Sequence, residues 1–282
     1  MNQPIVIGGV GGSGTRICVE LIEQCGYDFG RDLNSAHDHL WFNYLFYRPN
    51  WLIERLDCQH PDIQLGLDLV EKHFHASNLP TLSEIRFIAK AFPDFVRKDN
   101  FGARWAAKRV LHALQPRTSV QKRWGWKEPL SHLLIEDILD HFPTARYIHV
   151  IRHGLDMTYS KNMNQARKFG RLFNLPSPTN DEVTPDLALD YWLAANQRAL
   201  ETMRCFAPER TLCLNFDQLC LNPAAEAERI LSFLQVESSP DLLQRMVSIP
   251  KPPASMGRYQ NHNWQSLGDQ RLEQVAQLGF SL

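Results

Sequence analysis

The stretch Ile5-Val6-Ile7-Gly8-Gly9-Val10-Gly11-Gly12-Ser13-Gly14-Thr15-Arg16 decides how the chain is read. A β-branched run gives way to five glycines in the seven positions from Gly8 to Gly14, and Cys18, Leu21, Ile22 and Cys25 follow at helical spacing. This pattern predicts a strand that turns through a glycine loop into a helix. A helix start leaves backbone N–H groups without partners, and their partial positive charge favours an anion. Glycines let the backbone approach that anion closely, while Ser13 and Thr15 add hydroxyl donors. Residues 5–26 therefore read as an oxyanion cradle.

The anion is narrowed by what the loop lacks. A nucleoside-triphosphate loop reads G-x-x-x-x-G-K-[ST], with a lysine on the terminal phosphates and a hydroxyl on magnesium. Counting from Gly9, the second glycine is Gly14, but Thr15 takes the lysine position and Arg16 the hydroxyl position. The letters G-x-G-x-x-G fit Gly9 to Gly14, yet the acid that should end a second strand about 20 residues on is missing. Asp28 and Asp32 stand instead in a glycine-containing loop.

With 282 residues, the chain has room for one sizeable α/β domain or two small ones. Its net charge of −1 supplies no global field for nucleic acid or an anionic membrane surface. Charge is uneven, however: from Arg97 to Lys127 nine Lys or Arg residues face one acid, Asp99, as a solvated helical face or a positive wall beside an anionic ligand. Six cysteines, at 18, 25, 58, 205, 213 and 220, show neither a C-x-x-C pair nor metal-ligand spacing. Cys18 and Cys25, seven apart on one helical face, suggest packing. No basic start with an apolar h-region opens the chain, and nothing approaches 18 consecutive apolar residues. The expectation is a soluble, reduced, cytoplasmic protein without a membrane span.

Further along, His37-Asp38-His39 opens an aromatic run from Trp41 to Tyr47, read either as core or as an acceptor pocket. Residues 50–120 carry helical patterns interrupted by Pro61, Pro80, Pro93 and Pro116, as expected of a helical excursion over one end of a sheet. Lys122 to Lys127 reads as a short strand, and Leu130, Leu133, Leu134 and Ile138 as the apolar stripe of the next helix. Arg146 to Arg152 suits a buried parallel strand, with a helix expected from Leu155 to Met163. Thr184-Pro185 opens a helix to about Met203, Thr211 to Phe216 forms another strand, and Asn222-Pro223 starts a further helix. Strands separated by helices predict a P-loop-like, three-layer α/β/α fold with a central parallel sheet. Ligands of such sheets sit beyond the carboxyl ends of the strands. The Gly11–Arg16 loop, Lys127, Arg152 and the loop after Phe216 should meet there.

Ser13-Gly14-Thr15 after a strand, the block Ala145–Ser160 and the block Asn215–Gln235 resemble the three signature blocks of the sulfotransferase superfamily. The resemblance runs from residue 4 to about 236, with a looser echo at Met256-Gly257-Arg258. It implies a single domain over residues 1–282, with a helical insertion at about 30–120 on the acceptor side and a late loop at 248–270 closing over nucleotide. The donor it implies is 3′-phosphoadenosine 5′-phosphosulfate (PAPS), the product adenosine 3′,5′-bisphosphate (PAP), and no metal is called for. Gly11, Gly12, Ser13, Gly14, Thr15 and Arg16 would hold the 5′-phosphosulfate. Arg152 and Ser160 would clamp the 3′-phosphate, with Phe216, Gly257 and Arg258 completing the nucleotide site.

Three positions depart from the family pattern. Gly12 replaces the usual basic residue before Ser-Gly-Thr, Phe216 stands where a tyrosine is common, and the late loop has one basic residue instead of two. In an in-line transfer, negative charge grows on the departing phosphate oxygen, so a fixed cation there stabilises the transition state. Arg16 and Lys127 are the candidates for it, and Lys127 is the choice. Asp38 leads as the base for the acceptor proton, with His37, His39 and Glu128 as rivals. His37, His39, Trp41 and Phe42 would touch the acceptor, a hydroxyl or amine of a small molecule, sugar or lipid. The rival readings are a small-molecule kinase on a related fold and a non-catalytic nucleotide-binding protein. Nothing in the sequence indicates an oligomeric state.

Overall fold

Strand β1 (Ile5–Gly9) is buried at every position and forms the middle of a parallel sheet ordered β2-β1-β3-β4, with β2 (Gly125–Lys127), β3 (Arg146–Ile151) and β4 (Thr211–Asn215). The computed structural model describes residues 4–56, 60–75, 80–98, 103–113, 115, 123–178, 180 and 182–282. Ile7 pairs with Lys127 on one side, Gly9 with Val150 on the other, and Ile151 with Asn215. All four strands therefore end on the same edge. Side-chain alternation divides the core in two: Ile5, Ile7, Ile148, Val150 and Leu214 face one way, Val6, Trp126, Tyr147 and Ile151 the other.

Helices cover both faces. On the first lie α1 (Thr15–Glu23) and the later α11 (Phe216–Leu221), α12 (Pro223–Leu234) and α13 (Pro240–Val247). Between α1 and β2 the chain inserts α2 (Leu40–Phe46), α3 (Pro49–Ile53), α4 (Pro61–Phe74), α5 (Leu82–Lys98) and α6 (Ala103–Ala113). These share the second core with α7 (Ile135–His141) and the long α10 (Pro185–Phe206). The short α8 (Gly154–Thr158) and α9 (Asn164–Phe169) follow β3, and α14 (Asp269–Gln277) closes the chain. Among the described residues, no helix is long and apolar enough to cross a membrane.

The sequence reading needs correction in three places. Pro93 lies inside α5 without ending it: Phe87, Ile88 and Ala91 are buried before it, and Phe92 and Val96 on either side pack against the same core. Pro61 opens α4 and Pro80 precedes α5, so both interrupt the helical pattern as expected, whereas Pro116 is outside the described residues. The stripe from Leu130 to Ile138 is split between a 3-10 turn, Pro129–Leu133, and α7. The helix after β3 stops at Thr158 and does not reach Met163: the Thr158 hydroxyl bonds back to the Gly154 carbonyl, and Ser160 Oγ accepts the Asn162 amide at 3.1 Å. Such local bonds compete with helix continuation.

Among the described residues, the basic run after residue 97 forms no wall. Arg109 is buried in an ion pair with Asp32, Arg123 donates to the Cys25 carbonyl at 2.7 Å, and Arg104 and Lys108 are exposed. Arg117, Lys122 and Cys58 lie outside the described residues, as do the side chains of Arg97 and Lys98. The Asp32–Arg109 pair ties α6 to the loop before α2, which positions Trp105 of α6 at the active edge. Cys18 and Cys25 are free, buried thiols whose pKa values burial pushes up, so they pack and do not react.

Candidate active site

The glycine loop adopts the strand-to-helix turn that its composition predicts. Gly12 and Gly14 have φ of 103° and 97°, a region open to glycine and costly for other residues. Gly14 serves as the N-cap of α1 without any side-chain cap, so the first N–H groups of the helix point out of the loop. Ser13 Oγ is buried and has no hydrogen-bond partner among the described residues. An orphaned hydroxyl beside uncapped amides fits an oxyanion, since burial without a partner is otherwise unfavourable. Gly11 N–H is taken by Gln165 Oε1 at 3.0 Å, which anchors the loop to α9. A Cβ on Gly14 would collide with the Phe216 ring. Gly14→Ala is therefore expected to cost about 1–3 kcal/mol from overpacking and strain, read as a lower urea midpoint with unchanged slope.

Phe216 links this loop to a second cluster of donors, around Arg152. Its ring lies against Gly14 and beneath the Arg152 guanidinium, whose Cζ stands 5.1 Å from the ring centroid. Arg152 is buried; Nη2 donates to Ser255 Oγ at 2.9 Å and lies 3.6 Å from Asp156 Oδ2, while Nε has no partner among the described residues. Asp156 also accepts the Gly257 and Tyr259 amides at 2.8 and 3.3 Å, folding the late loop over the end of β3. That loop brings in Arg258, whose pKa is held down first by burial and then by the nearby positive Arg152. Two guanidiniums sharing one carboxylate form a site with spare positive charge, suited to a phosphate. Ser160 lies past the end of α8, and no described contact joins it to Arg152.

At the end of β2, Lys127 is buried with its ammonium held by the Asp38 carboxylate and the Ala36 carbonyl. Asp38 is held in turn by Asn34, whose side chain donates to it at 2.8 Å and accepts its amide at 2.9 Å. Asp38 is thus a counter-ion, not a free base. Glu128, the next residue, differs: burial and then the Asp38 carboxylate push its pKa up to about 8, with Lys127 pulling the other way. Asn43 Nδ2 lies 3.5 Å from Glu128 Oε2.

Glu128 borders a cleft of about 390 Å³ whose other walls include Gly11, Asp38, Asn43, Tyr47, Trp105, Asn162 and Gln165. Gly11 of the glycine loop and Glu128 thus line one cavity. Of the aromatic run, Tyr47 lines it, whereas Trp41 and Phe42 do not. Trp41 and Phe42 are core residues, with Trp41 Nε1–H on the Leu69 carbonyl at 3.2 Å and Phe42 packed between Phe46 and Trp126. His39 is buried as the cap of α2, accepting the Phe42 amide at 3.2 Å and stacking on Phe74. His37 adopts φ of 62° beside the Lys127–Asp38 pair, outside the cleft lining. Arg16 points outward, 4.0 Å from Glu20 on an exposed helix face, and does not reach the loop. The amides of Asn43, Asn162 and Gln165 were missed by the sequence reading; for the last two the one visible signal is the run Asn162-Met163-Asn164-Gln165 just after the Ala145–Ser160 block.

Comparison with known proteins bears on this geometry. A family model described as "Sulfotransferase family" matches residues 4–240. A search of the curated proteins returns no significant match. Among solved structures, the sulfotransferase STF9 from Mycobacterium avium matches at 17% identity and a TM-score of 0.50, over 100% of this chain and 78% of that one. The sulfotransferase domain of the Synechococcus PCC 7002 olefin synthase matches at 19% identity and 0.49, over 100% and 97%. A retinol dehydratase solved with androsterone and the inactive cofactor PAP matches at 15% identity and 0.44, over 97% and 80%.

Proposed function

We propose that this chain, which belongs to the sulfotransferase family, moves a sulfuryl group from PAPS to an acceptor hydroxyl held in the cleft beside Glu128. One observation carries the reading: a single ring, Phe216, touches both the uncapped loop at Gly14 and the guanidinium of Arg152. Two anion sites so joined suit one nucleotide bearing acidic groups at both its 3′ and 5′ positions.

In this reading the loop amides and Ser13 Oγ hold the 5′-phosphosulfate, whose phosphate is the leaving group of the transfer. Preorganised donors at that position are worth about 3–4 kcal/mol each where charge develops. Arg152 and Arg258 hold the 3′-phosphate, and Ser255 to Tyr259 close over it from Asp156. Lys127 supplies the cation that Gly12 does not: Asp38 and Ala36 take two of its three N–H donors and fix the direction of the third. Glu128 receives the acceptor proton, and its raised pKa places it within the working range of a general base.

Lys127→Ala is expected to lower kcat by at least about tenfold while changing PAP affinity less, as for an interaction strengthened in the transition state. Unchanged turnover would remove Lys127 from the catalytic set. Incubating the protein with PAPS and a metabolite extract, then searching by mass spectrometry for an added sulfuryl group and released PAP, tests the activity itself. PAPS consumption with phosphate transfer, or none at all beside a bound nucleotide, would contradict it.

A further inference from the structure

The cleft beside Glu128 has a chemistry of its own, and from it we infer that the acceptor is a polyhydroxylated molecule, a saccharide, and not a flat apolar alcohol. The inference rests on the sulfuryl-transfer reading and adds the acceptor class. The polar lining includes Asn43, Asn162, Asn164, Gln165, Tyr47 and Glu128, together with the charged Asp38 and Lys168. Among the described residues, Asn43 donates to Glu128 while its carbonyl oxygen takes nothing, and the Asn162 side chain and the Tyr47 hydroxyl have no partner. Asn164 gives only its carbonyl oxygen, to Arg167 at 3.3 Å.

Amides that offer donor and acceptor together match sugar hydroxyls, which also do both. An apolar ring would strip water from these groups and return nothing, which is unfavourable. The apolar lining is confined to Leu40, Pro129 and the Tyr47 and Trp105 rings, enough to pack one C–H face of a sugar. At about 390 Å³ the cavity is near the small end of ordinary ligand pockets, as expected for one terminal unit with the remainder outside. The Tyr47 phenol, its pKa pushed up by burial and by the neighbouring Glu128 carboxylate, stays protonated and keeps its O–H for a ligand.

The step balances without a further reactant. A sugar hydroxyl loses its proton to the Glu128 carboxylate as its oxygen bonds to sulfur. The bond from sulfur to the 5′-phosphate oxygen breaks, and that oxygen keeps the electron pair. A saccharide sulfate ester and PAP result.

The test uses the full chain with PAPS and two acceptor panels: N-acetylglucosamine, glucuronic acid and cellobiose against 2-naphthol and androsterone. Sulfated product is measured by mass, and binding by calorimetry with PAP present. The inference predicts that at least one saccharide exceeds both apolar alcohols by about 10²-fold or more in kcat/KM, since a site built for hydrogen bonds rejects analogues without them. Asn162→Leu should weaken that saccharide about tenfold and leave PAP binding intact. Equal or better turnover of 2-naphthol or androsterone overturns the acceptor class, as does intact PAP binding with no saccharide bound or sulfated. Loss of PAP binding in the unaltered protein would instead overturn the donor reading.

Discussion

Glu128→Gln is expected to lower kcat by about 10²–10⁴-fold, the usual contribution of a positioned base, with PAP affinity little changed. The unaltered enzyme should show kcat/KM rising with pH through about 8, where the carboxyl that burial and Asp38 hold protonated finally ionises. The variant should lose that limb. Stability follows the same group in the opposite sense. Because its folded pKa of about 8 exceeds the ordinary 4.5, its contribution is complete below about pH 4.5 and is lost as pH rises through about 8. Urea midpoints of the unaltered protein should therefore fall between pH 6 and 9 more steeply than those of Glu128→Gln. A pH profile that retained its limb in the variant would move the role of base elsewhere.

Arg152→Ala is expected to weaken PAP by roughly 2–5 kcal/mol, the cost of truncating one partner of a buried charged contact, or about 30- to 5,000-fold. Adenosine 5′-phosphate, which lacks the 3′ group, should bind almost as before. The argument is geometric: Arg152 is fixed by Ser255, Asp156 and the Phe216 ring, and its Nε is free for a ligand. Equal weakening of both nucleotides would mean that the substitution had disturbed the β3 end generally. Calorimetry on the two nucleotides separates these outcomes.

The parts of the fold set by short-range pattern were legible. Ile5 to Thr15, Arg146 to Ile151 and Thr211 to Asn215 combine β-branched or apolar runs with glycine or cap signals, and the structure has strands where they were expected. The parallel order followed from the helices between them. Features decided by tertiary contacts were not legible. Trp41 and Phe42 are apolar wherever they face, so the sequence could not tell core from pocket, and packing against Tyr44, Phe46 and Trp126 settles it. Asp38 and Glu128 are both carboxylates near Lys127. Only the fold shows that Asp38 takes the ammonium while Glu128, buried beside them, is pushed toward neutrality. The role of Asp156, gathering Arg152 and two amides of a loop about 100 residues later, has no local signature at all.

The central claim is that one nucleotide is gripped at both ends by the loop at Gly14 and by Arg152. Calorimetric titration of the unaltered protein with PAP, adenosine 5′-phosphate and adenosine 3′-phosphate tests it most directly. The account predicts one PAP bound per chain, tighter than either monophosphate by about 10²-fold or more, as two charge-assisted contacts acting together require. PAP binding no tighter than adenosine 5′-phosphate would contradict it.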